Sequence, residues 1–287
     1  MSKVLNELVQ LLQLERIEQN LFRGQSQDLG LPQLFGGQVI GQALSAAKQT
    51  IDPVRTSHSF HSYFLLPGDS KKPIVYEVEA IRDGRSIATR RIKAIQHGRT
   101  IFYMTASFHT QEEGFDHQAE MPDVVAPEQL KSEQDIAKQF IDHIPETLQK
   151  KFTVDRPIEM RPVEFINPLN PEKSLPVKHV WMKTNGVLPD DHRIHKYMLA
   201  YASDFGFLPT ATQPHGISFL TPKLQMATID HSMWFHRDFR FDDWLLYEIN
   251  SPSASNQRGF VLGKIFNQQG ELVASTAQEG VLRFKNK

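Results

Sequence analysis

Two stretches of this chain repeat one pattern. From His58 it reads HSFHSYFLLPGDSKKPIVYEVEAIRDGRSIATRRIKAIQHGRTIFYMTASF, and from His231 it reads HSMWFHRDFRFDDWLLYEINSPSASNQRGFVLGKIFNQQGELVASTAQEGVL. His58 stands 173 residues before His231, Tyr76-Glu77 stands 171 before Tyr247-Glu248, and Gln96-His97-Gly98 stands 172 before Gln268-Gln269-Gly270. A drift this small over about 50 residues is what loop insertions leave behind, and self-similarity at a long period means one structural unit made twice. The chain is long enough for it, since 287 residues hold two compact units of about 100 to 150 each.

Inside each copy the apolar runs are short, rich in Val, Ile, Phe and Tyr, and separated by turns, as in IVYEVEAI, RDG, IATRRIKAI, QHGR and IFYMTASF. This is the pattern of an antiparallel meander with hairpin turns. Ahead of each meander lies one long helical stretch. In the first half it is GGQVIGQALSAAKQT, whose Gly37 and Gly41 predict a thin helix lying close against a sheet. In the second it is DDHRIHKYMLAYASDFGF, with Ile194, Tyr197, Met198 and Tyr201 on one face. The expected fold is α+β: a long helix laid across a curled antiparallel sheet, made twice, which is a double hotdog.

From about Gln111 to Arg156 the strand pattern stops, and we expect a crossover linker with a short amphipathic helix near Ser132 to His143. The expected organisation is residues 1–110 as an N-terminal unit, 111–156 as linker and 157–287 as a C-terminal unit. Ahead of the first unit, Leu5, Leu8 and Leu12 fall at helical intervals broken by Asn6, Glu7 and Gln10, which predicts an amphipathic helix rather than a secretion leader.

Composition and missing motifs exclude several chemistries. Lys plus Arg number 32 against 33 Asp plus Glu, so no basic field points to nucleic acid or an anionic membrane. No stretch reaches the roughly 18 apolar residues of a membrane span. The chain has no Cys, which removes disulfides, thiolate metal sites and cysteine nucleophiles and fits a cytoplasmic setting. The C-terminal RFKNK is not a Ser-Lys-Leu peroxisomal address. There is no G-x-S-x-G elbow, no phosphate-binding P-loop and no G-x-G-x-x-G. His58 with His61 would face opposite sides of a strand, and His192 with His195 lack a third ligand, so neither a metal nor a cofactor is expected.

The segments LFGGQVIGQALSAA, HSFHSYFLLPGDSKKPI, YMTASF, RPVEFINP, LAYASDFGFLP, ATIDHSMWFHRDFR and STAQEG together resemble bacterial acyl-CoA thioesterase II and its peroxisomal relatives, from about Leu5 to Arg283. The resemblance implies a double hotdog that hydrolyses fatty acyl-CoA to free acid and CoA. It also implies a catalytic trio, which falls here on Asp204 in YASDFGF, Thr228 in MATIDHS and Gln278 in STAQEG. Asp204 would be the general base, with Thr228 and Gln278 holding the water, since a hydroxyl and an amide can each donate and accept. Backbone N–H groups at the opposing helix terminus would meet the oxyanion.

In the first half Lys48 stands where Asp204 does and Ser107 opposite Gln278, so one working site per chain is expected. Two rival readings are an enoyl-CoA hydratase of the same fold, on the spacing of Asp190 and His195, and a non-catalytic acyl-CoA-binding module. The hydratase motif lacks its Asn and Pro here, and an intact trio argues against the binding module. The expected partner is the acyl-CoA substrate, and exposed sheet edges suggest a homo-oligomer, a dimer or tetramer of these double units.

Overall fold

A computed structural model describes residues 1–31, 33–139, 141, 149 and 154–285. The first half runs α1 (Lys3–Leu12), β1 (Glu15–Glu18), β2 (Leu21–Gly24), α2 (Gly36–Lys48), β3 (Thr56–Phe64), β4 (Ile74–Asp83), β5 (Ile87–Gln96) and β6 (Arg99–His109). Then come α3 (Glu133–Gln139) and the second half: β7 (Ile158–Pro162), β8 (Val177–Thr184), α4 (His192–Ala202), β9 (Leu224–Thr228), β10 (Asp230–Phe235), β11 (Leu245–Ser255), β12 (Arg258–Asn267) and β13 (Leu272–Phe284). The expected linker helix is thus found over its first part, and Phe140, Asp142 and His143 lie outside the described residues.

The strands form one antiparallel sheet in the order β1-β2-β4-β5-β6-β3-β10-β13-β12-β11-β8-β7, with β9 added on β13. This order reads alike from both ends. The halves meet at β3 and β10, where His61 lies opposite Ser232. The sheet carries α2 and α4 on one face, the double hotdog arrangement expected from the sequence. The hairpin joining β5 to β6 turns at His97 and Gly98, both at positive φ (51° and 69°), the conformation that matches the twist of tightly linked strands.

Strand register corrects the alignment of the halves. On one side Tyr76 lies opposite Ala94, Ala94 opposite Phe102 and Phe102 opposite Phe64. On the other, Tyr247 lies opposite Ile265, Ile265 opposite Ala274 and Ala274 opposite Phe235. Tyr76 and Tyr247 are therefore equivalent, and so are Phe64 and Phe235. Four residues back along β3 and β10, the counterpart of His231 is Phe60, not His58. Four residues on along β6 and β13, the counterpart of Gln278 is Ala106, not Ser107. The shared His-Ser dipeptide that suggested the other alignment is a coincidence of type, two residues out of register.

The glycines of α2 also serve a different purpose from the one expected. A Cβ on Gly37 would overlap the backbone oxygen of Tyr201, and one on Gly41 would lie 3.1 Å from that of Tyr197. They let α2 approach α4 rather than the sheet. The helices meet from Gly36 beside Asp204 at one end to Lys48 beside Arg193 at the other, which puts Gly41 and Tyr197 near the middle and makes Lys48 the first-half counterpart of Asp204. The apolar face of α1, with Leu5, Leu8 and Leu12 all buried, closes one side of the helix pair.

After β6 the chain crosses the helix-free face of the second half. Gln118 donates to the Gly270 carbonyl (2.7 Å) and Trp181 to that of Val125 (3.0 Å). Trp181, Trp244, Leu246 and Phe266 pack there against Met121, Val124 and Leu130. Among the described residues no helix is long and apolar enough to cross a membrane.

Candidate active site

Asp204 follows the C-terminus of α4 by two residues. The antiparallel crossing of the helices brings it to the N-terminus of α2, where first-turn N–H groups lack intrahelical partners. The Gly37 N–H donates to its carboxylate. A Cβ on Gly36 would lie 2.7 Å from Asp204 Oδ2 and 2.9 Å from the Phe64 ring, so the carboxylate occupies the space a larger residue would fill. Burial pushes the Asp204 pKa up to about 7, and the Gly37 hydrogen bond only partly opposes it. The residue nonetheless keeps part of its surface accessible. At the helix terminus expected to meet an oxyanion, one N–H, that of Gly37, donates to the acid itself.

Thr228 ends β9 opposite Gly280 on β13, which sets it beside Gln278 two residues earlier on that strand. Gln278 Nε2 donates to Thr228 Oγ1 at 2.9 Å. The amide oxygen turns the other way, 2.7 Å from His231 Nδ1, and His231 Nε2 lies 2.9 Å from Ser203 Oγ. The structure thus joins Thr228 to Gln278 directly and ties both, through His231 and Ser203, to the residue before Asp204. None of the described hydrogen bonds joins the Asp204 carboxylate itself to Thr228 or Gln278. Gln278, His231 and Ser203 are all buried, and burial drives the imidazole pKa down to about 4, so the ring is neutral near pH 7.

Sequence reasoning missed His231 and Ser203 as parts of this centre. The signal was available in the strand alternation, which puts His231 on the same face as the buried Met233, and a buried imidazole requires partners. An aromatic wall stands beside the acid: Phe35 stacks on Phe205 at 4.3 Å and packs edge-on to Tyr201, and Phe64 packs on Phe102.

Other candidates are not brought together. Asp190 is exposed and pairs with Arg240 (2.8 Å), whereas His195 is buried and accepts from the Phe241 N–H (2.9 Å). The acid and imidazole of a hydratase therefore share no site. Arg90 is buried and held by Asp83 and Thr50, so its guanidinium is committed within the fold. Among the described residues no group of three or more His, Asp or Glu side chains could hold a metal ion. A cavity of about 1150 Å³ lies elsewhere, between the sheet and residues 110–119, with His58, His109 and His236 in its lining.

Residues 147–281 match the family model described as acyl-CoA thioesterase, and residues 25–109 match that of the acyl-CoA thioesterase N-terminal domain. The chain is 48% identical to acyl-CoA thioesterase 2 of Haemophilus influenzae, with 99% of both chains covered. It is 39% identical to human acyl-coenzyme A thioesterase 8 over 96% of this chain and 88% of that one. Among solved structures, an acyl-CoA thioesterase II from Mycobacterium marinum superposes with a TM-score of 0.79 at 40% identity, covering 97% of this chain and 99% of that one.

Proposed function

This chain belongs to the acyl-CoA thioesterase family, and from that membership we propose that it hydrolyses fatty acyl-CoA to free fatty acid and CoA, with Asp204 as general base and Thr228 and Gln278 holding the water. The observation that carries the proposal is the placement of Asp204: a partly accessible carboxylate, pushed up to about 7, at the junction of two opposed helix ends. A base is best matched when its pKa lies near the working pH.

In the proposed reaction, water oxygen attacks the thioester carbonyl carbon as Asp204 takes its proton. The tetrahedral intermediate collapses with cleavage of the C–S bond. Asp204, now protonated, returns the proton to the departing thiolate, giving CoA and the carboxylic acid. Phe35, Phe64 and Phe205 offer the acyl chain an apolar surface beside the acid. The lost counterparts, Lys48 for Asp204 and Ala106 for Gln278, support one such centre per chain.

The same symmetry supports division at 1–110, 111–156 and 157–287. Assembly into a homo-oligomer is supported by Tyr63, 44% exposed and stacked on Tyr103 on the helix-free face. Light scattering should then read at least twice the chain mass of 32.9 kDa, and a reading at the chain mass would contradict assembly.

The test is thiol release from a series of fatty acyl-CoA esters by the purified protein. Release of CoA and free acid in equal amounts is expected, unchanged by a metal chelator. Hydration of a trans-2-enoyl-CoA without thiol release would overturn the proposal, as would loss of activity in chelator restored by zinc.

A further inference from the structure

We infer that His231 is a positioning residue of the hydrolytic centre, whose ring fixes the direction of the Gln278 amide and thereby leaves the Thr228 hydroxyl proton for water and substrate. The inference rests on the reading of Asp204, Thr228 and Gln278 given above.

The proton order follows from what each group can do. The Gln278 amide faces its oxygen to His231 Nδ1 at 2.7 Å and its nitrogen to Thr228 Oγ1 at 2.9 Å. An amide oxygen only accepts, so Nδ1 carries a proton. A neutral imidazole has one N–H, so Nε2 is an acceptor, and the Ser203 hydroxyl, 2.9 Å from both Nε2 and the Ala200 carbonyl, turns its one proton to the ring. With Gln278 Nε2 donating to Thr228 Oγ1, no hydrogen bond among the described residues uses the threonine proton or the second amide proton of Gln278. Protons therefore run one way, from Ser203 through His231 and Gln278 to Thr228.

The opposite ring tautomer would reverse every link. A proton on Nε2 would be given to Ser203, whose own proton would go to the Ala200 carbonyl, also 2.9 Å away. Nδ1 would then accept from the amide nitrogen, the amide oxygen would turn to Thr228, and the threonine proton would be consumed. The hydroxyl would become an acceptor only. One proton on one fully buried ring thus decides what Thr228 offers at the surface of the centre.

The first half supplies a control within the same molecule. Following the ladders and the helix crossing, the counterparts of His231, Gln278 and Ser203 are Phe60, Ala106 and Ala47. Thr228 pairs with Gly280 as Ser57 pairs with Phe108, so only a hydroxyl persists there. Where the acid is replaced by Lys48, the whole polar chain behind it is replaced by apolar side chains. Packing alone does not need an imidazole at this position, since Phe60 fills its equivalent and is equally buried.

The experiment has two arms. In the wild-type protein, ¹⁵N NMR of labelled histidine should show His231 as the neutral Nδ1–H tautomer near pH 7. Separately, His231→Phe should lower kcat by roughly 10- to 100-fold with KM within about twofold, the scale expected when a water is misplaced by a fraction of its size. Combining it with Gln278→Ala should cost no more than about threefold beyond the worse single variant, because the two act as one unit. His231→Asn, whose amide nitrogen can stand in for Nδ1, should recover most of the lost kcat. An Nε2–H tautomer overturns the inference, as does a folded His231→Phe variant of wild-type kcat beside an impaired Gln278→Ala. If His231→Phe does not fold, the tautomer decides. If Gln278→Ala and Asp204→Asn both keep wild-type turnover, the reading of the centre falls and takes the inference with it.

Discussion

Asp204→Asn is expected to lower single-turnover thioester hydrolysis by roughly a hundredfold or more, the scale of losing a general base, in a protein that folds better than its parent. The amide keeps the size of the acid and can still accept from the Gly37 N–H. What it cannot do is take a proton from water. The stability gain follows from the raised pKa. The folded state holds the Asp204 proton up to about pH 7, whereas the unfolded chain releases it near 3.8. Between those values the native state binds more protons, so the acid's contribution to stability falls as pH rises through the window. A neutral amide escapes that loss. Since the residue is partly accessible, the full shift is discounted to roughly 2 kcal/mol, or on the order of 5 °C in melting temperature at pH 8, vanishing toward pH 4. An Asn variant that is inactive but melts no higher than wild type at pH 8 would mean that the carboxylate is not desolvated as described. One that keeps more than about half the wild-type rate would mean that Asp204 is not the base.

The second large effect is structural. Gly37→Ala adds a methyl group where the Tyr201 carbonyl oxygen already stands, with the Phe35 ring also in the way. Alanine is intrinsically the better helix former by up to about 1 kcal/mol, so the substitution would help an isolated helix. Here the obstacle is backbone of the packed partner helix, which yields only if α2 and α4 move apart. Overpacking of this kind costs about 1–3 kcal/mol or more and outweighs the propensity gain. Because Gly37 N–H also holds the Asp204 carboxylate, turnover should fall together with melting temperature. Gly114→Ala, with nothing within 4 Å, is the neutral control, expected within about 0.5 kcal/mol of wild type. Thermal unfolding of both variants tests this, and a Gly37→Ala protein as stable as its parent would show that the helix crossing is looser than the structure has it.

Much of this molecule is legible in its sequence because local patterning and tertiary fold agree. Strands of alternating residues separated by Asp-Gly and His-Gly turns, with one long helix ahead of each set, leave few alternatives to a curled sheet carrying two helices. What the sequence concealed is register and partner. A repeated His-Ser pair matched His58 to His231 by residue type. The true register depends on bulges between Ala94 and Ile95, between Ile265 and Phe266, and between Ser57 and Ser59, which no dipeptide announces. Likewise Gly37 and Gly41 announce a close approach without saying to what. The acid, hydroxyl and amide were named through a family resemblance, since a Thr or Gln in a strand has no chemical signature of its own. Strand alternation marks His231 as buried, but its partners Gln278 and Ser203 lie 47 and 28 residues away in the chain and are set by the tertiary fold alone.

The central claim is that hydrolysis waits on a deprotonated Asp204 whose pKa lies at about 7. It is tested most directly by kcat/KM for a fatty acyl-CoA measured across pH in the wild-type protein. The account predicts a plateau above about pH 7.5 and a fall of about tenfold per unit below about pH 6.5, as the free enzyme's base is protonated. A profile that stays flat from about pH 5 to about pH 8 would contradict it.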